Sequence, residues 1–551
     1  MENALINEKI KSSKQSGAYK FMLPAAFALH LFVFIYFLIK KPVHIDEAMT
    51  ILNANSLAKS GTDILGERLP IYFDTWLHGG QSPFATYLVA LMIKLFGYSL
   101  FITRVPMFIF SMLGLMAFYK FLKEAIPENE TLINIAFCLA CISPWHLYSS
   151  AFTLDCNFLP HIAMFGLYFL VKGINTQKSR YFVFSMFFFG LGFYCYILSA
   201  IIIPTFLAIL YLLLLIKKKI SIKDTLISLL TIFVVAIPFI LQGLVQFDVI
   251  DNLKLFGFSI SKMEYYSRGL GRKNSFLDNL GDGIFIALFP DILSFNKIVP
   301  SVSFNYTNSI GGFLLILGIV FIISRKKEFS FIKIFFITSI ISLAILCGLT
   351  HYIVALYRYN FYNYTLNFGI AAGLYSIKSI AEHFKINSKK IFISLTTVFI
   401  LSSLIITSYC FLHYFSSDVL NNNKFYVNSM TSSLNYCKNF ESDPTSIILS
   451  NNDNKRIKEE RNQRTYIATL FNNVDSYDKL KVKSTMLDFN YNKSNGKIPI
   501  NNNLYLLYPN NKINETVFIA NSDEAEKLKY DKSKYKSKKI GIYTVFYKEM
   551  Q

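Results

Sequence analysis

The chain has 551 residues, of which 53% are hydrophobic and only 16% charged, with a mean hydropathy of +0.39. So apolar a composition excludes an ordinary soluble domain, and many runs reach the roughly 17–25 residues that cross a bilayer core. The formal net charge of +20 does not point to nucleic acid, because the lysines concentrate in short connectors between apolar runs, where orientation rules place them.

The N-terminal tail, residues 1–20, is polar and basic, and no small-residue cleavage site follows the first apolar run, Phe21–Ile39, so a retained signal-anchor is expected. Further runs cover Leu100–Leu122, Leu132–Tyr148, Phe158–Val171, Tyr181–Ile197, Ala200–Ile216, Leu226–Leu244, Ile310–Ile323, Phe331–Leu349, Leu356–Ile377 and Ile391–Phe415. Phe84–Leu95 is too short to span and reads as an interfacial helix, which leaves about eleven transmembrane helices. With the N-terminus inside, KSR at Lys178–Arg180, KKK at Lys217–Lys219 and RKK at Arg325–Lys327 all fall on the cytoplasmic side. Counting Phe84–Leu95 as a span would turn every later basic connector outward.

This topology divides the chain into a cytoplasmic tail (1–20), a transmembrane module (21–415) and an extracytoplasmic C-terminal domain (416–551). Residues 40–100 and 245–309 become outer loops. The tail is rich in Asn, Lys and Ser, with strand-like runs at Ser446–Leu449, Leu504–Tyr508 and Ile540–Tyr547, and its length suits a small α/β domain. Of the seven cysteines, Cys138 and Cys141 form a CxxC inside an apolar run, where packing is the expected role. The abundance of Asn, Lys and Ile fits an AT-rich bacterial genome.

Chemistry concentrates at the expected outer ends of the spans. Asp46 and Glu47 stand side by side just beyond the first run, before an amphipathic helix that ends at Gly61. An N-cap and a first-turn acid explain such a pair structurally. A general base that takes a proton from an attacking hydroxyl explains it functionally. Asp155, after SPWH at Ser143–His146, falls in the second outer turn, as a cap or as a second acid of the same site. Arg358 lies at the outer end of a late span, where the positive-inside bias disfavours it, either snorkelling to headgroups or offering a fork to a lipid-linked phosphate. Asn360, Tyr359 and Asn363 offer neutral donors beside it, and Lys254, Lys262, Arg268, Arg272 and Lys273 are further cations of the long outer loop.

These parts suit transfer of a sugar from a polyprenyl-phosphate lipid. No soluble nucleotide-sugar exists outside the cytoplasm, a phosphate leaving group needs charge neutralisation, and an acceptor hydroxyl needs a base. Direct displacement inverts the anomeric centre. The order DEA (Asp46–Ala48), SGTDILGERLP (Ser60–Pro70), GGQSPFATYL (Gly79–Leu88), LFGYS (Leu95–Ser99), RVP (Arg104–Pro106), SPWH and RYN (Arg358–Asn360) resembles the bacterial GT-C membrane glycosyltransferases. Within that group it is similar to the protein O-mannosyltransferases and the lipid A aminoarabinose transferase, over about Phe21–Ile377. The resemblance implies Asp46 as catalytic base, Asp155 as an acid shaping the acceptor or donor site, and Arg358 at the donor phosphate; beside it, the residues themselves offer Asn360 and Arg268 to the phosphate and Glu47 in a support or metal-proximal role. It departs at YSSAFTLD, Tyr148–Asp155, where relatives often carry an Arg.

Some GT-C enzymes bind a divalent metal. His44, Glu47 and His78 offer ligand types here without HxH-type spacing, so no cofactor is firmly expected. The expected partners are the polyprenyl-phosphate-linked sugar donor, membrane lipid and an acceptor glycan, glycolipid or protein. Two other classes compete. A flippase of lipid-linked glycan should show matched repeats and broken helices in both halves, and none is seen. A non-catalytic envelope assembly factor would leave Asp46, Asp155 and Arg358 unexplained.

Overall fold

In lipid a backbone must satisfy its own hydrogen bonds, so apolar runs become helices. The computed structural model describes residues 2–75, 80–263, 275–288, 309–324, 330–349, 356–384, 388–414, 416–440, 445–450, 455–475, 497–501, 503–507, 513, 515–528 and 530–548. Its helices are α1 (Glu2–Lys40), α2 (Ile45–Ser60), α3 (Pro83–Phe96), α4 (Leu100–Ala125), α5 (Glu130–Ile142), α6 (Pro144–Ser149), α7 (Asp155–Thr176), α8 (Ser179–Gly192), α9 (Ser199–Ile216), α10 (Ile222–Gln246), α11 (Phe276–Leu288), α12 (Ser309–Ser324), α13 (Ser330–Leu349), α14 (Asn363–His383), α15 (Ser388–Tyr414), α16 (Ser417–Asn422), α17 (Asn428–Cys437) and α18 (Lys455–Asn472). This is a polytopic helical membrane protein with a β-sheet at its C-terminus.

Among the described residues, seven helices are long and apolar enough to cross a membrane, in α1, α4, α7, α9, α10, α13 and α15. The other four expected spans are shorter or interrupted. Ser143 and Pro144 divide α5 from α6, α8 stops at Gly192, α12 has 16 residues, and Leu356–Tyr362 winds as a 3-10 helix before α14. The stretch expected to be an interfacial helix forms α3, which at 14 residues is shorter than a span. It buries Ala85, Thr86, Val89, Ala90 and Ile93 and exposes Leu91, Leu95 and Phe96.

The chain forms two compact units: Met1–Tyr36 with Val105–Phe239 and Gly269–Cys410, and Phe37–Arg104 with Ile240–Arg268 and Phe411–Gln551. In the first, α12 and α14 approach through glycine. A Cβ on Gly373 would lie 1.9 Å from the Leu314 carbonyl oxygen, and one on Gly318 would lie 1.9 Å from that of Gly369. Small residues permit such backbone contact between membrane helices. The same unit buries a polar chain. His30 Nδ1 donates to the Ala26 carbonyl (2.8 Å), so its Nε2 accepts from His146 Nδ1 (2.7 Å). His146 Nε2 then accepts from the Tyr364 hydroxyl (3.1 Å), whose oxygen accepts from His161 Nδ1 (2.9 Å). All four side chains are buried, and Gly114 leaves them room.

In the second unit, β1 (Leu253–Leu255) and β2 (Phe258–Ile260) form a hairpin. The C-terminal stretch forms β3 (Thr445–Ile448), β4 (Lys497–Asn501), β5 (Leu504–Leu507), β6 (Val517–Asn521), β7 (Tyr535–Ile540) and β8 (Tyr543–Lys548). These make one mixed sheet in the order β4-β5-β3-β6-β8-β7, with β3 parallel to β5 and β6. Its core is not closed by the tail alone. Ile45, Ala48, Met49, Leu52 and Ile64 share a single apolar cluster with Ile447, Leu506, Ile519 and Val545. On another side, Ala54 and Leu57 pack with Phe73, Val89, Ala90 and Ile93. The expected amphipathic helix is therefore covered on two sides and buried from Glu47 to Ser56.

Replacing Gly373 by Leu forces apart two backbones and should cost about 1–3 kcal/mol of stability. Thermal unfolding of the full chain in detergent measures it, and Ser376→Ala on the same helix should lose less.

Candidate active site

The start of α2 sets the position of the acidic pair. His44, in an extended conformation, is the N-cap, two residues ahead of the cap expected at Asp46. Its Nδ1 accepts the Asp46 amide N–H at 3.2 Å. The Asp46 carbonyl is held in turn by the Thr50 hydroxyl (3.1 Å) and the Gln81 carboxamide (3.1 Å), and Gln81 also donates to Thr50 Oγ1 at 2.7 Å. Gln81 is itself fixed by a two-way backbone bridge with Phe73. The Asp46 side chain remains 45% exposed.

Glu47 has the opposite fate. It is fully buried and meets Arg104 through two parallel bonds, Nε to Oε1 at 2.8 Å and Nη2 to Oε2 at 2.7 Å. Arg104 is fully buried as well, and its remaining donors reach the carbonyls of Phe37 (3.3 Å) and Pro42 (2.6 Å). A planar fork matched to a carboxylate and two carbonyls satisfies an ion pair that would otherwise carry a large desolvation cost. The sequence motifs around Glu47 and Arg104 thus close on each other. Arg104 and Gln81 had no assigned role in the sequence. The signal for Arg104 was an Arg at the head of an apolar span, which requires a partner.

The motif Ser60–Pro70 folds back along α2. Gly61 ends the helix in the left-handed region at φ 70°. Asp63 then accepts the amides of Leu65 (2.9 Å) and Glu67 (2.8 Å), while its carbonyl takes the Ser56 hydroxyl at 2.9 Å. Burial pushes the Asp63 carboxyl up to about 7, against the pull of those two amides. Burial likewise lowers His44 below the usual histidine range, opposed by the carboxylates of Asp46 and Glu47.

In the other unit, Asp155 is half-buried in the first turn of α7 and accepts the Cys156 amide at 2.7 Å. Two residues on, Asn157 is buried and accepts at Oδ1 from Asn360 Nδ2 (3.2 Å). Asn157 also donates to the Phe152 carbonyl at 3.0 Å. This bond ties the turn carrying Asp155 to the 3-10 helix Leu356–Tyr362, whose backbone carries Arg358. The Arg358 side chain, Arg268, His78 and His351 lie outside the described residues. Among the described residues no group of three His, Cys, Asp or Glu side chains is placed to hold a metal ion.

Residues 80–241 match the family model described as dolichyl-phosphate-mannose-protein mannosyltransferase. No curated protein sequence matches the chain. In structure the chain is similar to apo ArnT from Cupriavidus metallidurans, at 11% identity, with 96% of this chain and 98% of that chain covered and a TM-score of 0.50. It is also similar to the apo oligosaccharyltransferase of Archaeoglobus fulgidus, at 14% identity, with 91% and 69% covered and a TM-score of 0.52. ArnT bound to undecaprenyl phosphate aligns at 13% identity over 95% and 97%, with a TM-score of 0.49.

Two predictions follow from the geometry. Arg104→Met strands a buried carboxylate and should cost about 3–5 kcal/mol. The pair Glu47→Leu with Arg104→Met should be less destabilised than Arg104→Met alone, as read by thermal unfolding. For Asp63 the folded state keeps a proton that the unfolded chain loses above about pH 4. Its contribution to stability is therefore full at low pH and declines as pH rises towards about 7. Asp63→Asn should remove that decline, so that the variant gains on wild type between pH 5 and 8 in paired melting curves.

The exposed carboxylate of Asp46, the clamped Glu47 and the tied turns of Asp155 and Arg358 are carried by a chain that shares the GT-C fold of ArnT and the archaeal oligosaccharyltransferase and whose residues 80–241 match the mannosyltransferase family model.

Proposed function

We propose that this protein is a glycosyltransferase that moves a sugar from a polyprenyl-phosphate-linked donor to an acceptor hydroxyl at the outer face of the membrane. The N-terminus is cytoplasmic in this reading and the C-terminal region extracytoplasmic. The observation that carries it is the division of the acidic pair. Glu47 is committed to Arg104, while Asp46 presents a carboxylate to solvent from a backbone held at both its N–H and its C=O. A fixed, accessible carboxylate suits a general base. The description of the matching family, which names a dolichyl-phosphate-linked sugar, supports the donor class.

In the mechanism, Asp46 takes the proton of the acceptor hydroxyl as its oxygen attacks the anomeric carbon. The bond to the phosphate oxygen breaks, and the configuration inverts. Arg358, with Asn360 and Arg268, meets the phosphate and stabilises the charge that develops on it. Asp155 is the acid that shapes the acceptor or donor site. Glu47 acts through Arg104 to hold the turn between α1 and α2. The acceptor is a surface polysaccharide, a teichoic-type polymer, a glycolipid or a protein hydroxyl.

Asp46→Asn should leave membrane insertion and melting unchanged and lower transfer at least about 100-fold, the usual range for a lost base. Mass spectrometry of envelope glycans from cells with wild type, Asp46→Asn or no protein reads the product. Product near the wild-type level in Asp46→Asn removes the base assignment. Arg358→Ala should raise the donor concentration needed for transfer, and an unchanged requirement removes its phosphate role.

A further inference from the structure

We infer that His44 is the positioning residue of Asp46, and that residues 425–428 of the C-terminal region are the brace that holds His44 in place. The inference rests on reading Asp46 as the base.

The connector between α1 and α2 pairs with a segment nearly four hundred positions later in the chain. His44 and Tyr426 form an antiparallel bridge. The Ile45 amide donates to the Phe425 carbonyl (2.9 Å), and the Val427 amide donates to the Val43 carbonyl (3.0 Å). Asn428 closes the far end. Its Oδ1 accepts from the Val43 amide (3.3 Å), and its Nδ2 donates to the Lys41 carbonyl (3.1 Å). The His44 ring lies parallel to Phe425 at 6.1 Å and meets Tyr426 edge-on at 5.8 Å, with 3% of its surface exposed. Three backbone positions and the ring of His44 are thereby held by one short segment.

The chemistry of the ring explains the choice of residue. His44 Nδ1 accepts the Asp46 amide, so its lone pair is used and it carries no proton. The Asp46 carboxylate lies 3.6 Å from the same nitrogen. With Nδ1 already an acceptor, that approach is no ion pair, and the ring does not neutralise the carboxylate. Serine or aspartate is the commoner N-cap. A serine would leave nothing for Phe425 and Tyr426 to grip, and an aspartate would place a second negative charge beside the base. A neutral histidine caps the helix and offers an aromatic surface to the brace without placing a second charge beside Asp46. Small displacements of a reacting group are expensive in rate, so a loosened first turn should show in transfer before it shows in folding.

The test uses the full chain in cells and in nanodiscs. His44→Ala removes the cap, whereas His44→Asn keeps a side-chain acceptor for the Asp46 amide. Phe425→Ala removes the ring contact and leaves the backbone bridge. The expected result is a product loss of about 10- to 100-fold in His44→Ala, comparable to that from a misplaced group. His44→Asn and Phe425→Ala each keep the cap and lose the ring contact, so both should recover to within about tenfold of wild type. Hydrogen–deuterium exchange of the peptide spanning 44–50 should speed up most in His44→Ala and less in the other two variants. Product from His44→Ala equal to wild type, or no recovery in His44→Asn, overturns the inference. The two readings separate in one panel. If Asp46→Asn retains transfer, the base assignment fails, and the exchange data alone then decide whether His44 and its brace order the first turn.

Discussion

The bidentate pair of Glu47 and Arg104 is the constraint on which the first long loop depends. Neither ion has access to water, and Arg104 spends its remaining donors on the carbonyls of Phe37 and Pro42. One guanidinium thus fixes the end of α1, the connector and the second residue of the acidic pair. A buried pair of this kind is weak evidence for net stability, since its desolvation offsets much of its attraction. Its value lies in specificity. With Glu47 held inward by Arg104, the adjacent side chain of Asp46 stays 45% exposed.

Much of this was legible in the sequence because lipid leaves few options. Apolar length located the seven strongest spans and set the short run Phe84–Leu95 apart from them. The four weaker spans were misjudged in form because hydropathy averages over the features that interrupt a helix. Ser143-Pro144 and the 3-10 helix at Leu356–Tyr362 are local backbone events inside apolar composition. The pairing of Glu47 with Arg104 was beyond periodicity, since the two lie 57 residues apart. The buried character of α2 was hidden for a related reason. Its pattern shows one apolar face, but its covering on a second side comes from the far end of the chain.

The unit that holds Asp155 uses neutral groups where the other uses charge. Asn157 and Asn360 join two turns with a single amide–amide bond. Deeper in the helices, three histidines and a tyrosine form a chain in which each proton has one direction, set by the Ala26 carbonyl at its end. Such a network joins α1, α6, α7 and α14 without burying net charge, which suits an apolar setting where an unpaired ion is costly.

The pairing of residues 43–45 with 425–427 also bears on how the protein is made. The sheet core contains Ile45, Met49 and Leu52, so it cannot close until the last strands have been synthesised. During synthesis α2 leaves the ribosome hundreds of residues before β8, and its apolar faces wait without their partner. The acidic loop therefore reaches its final shape only after the strands of the sheet have been made. A chain without those strands would still carry residues 425–428 against His44, but α2 would leave the side that bears Ile45, Met49 and Leu52 uncovered.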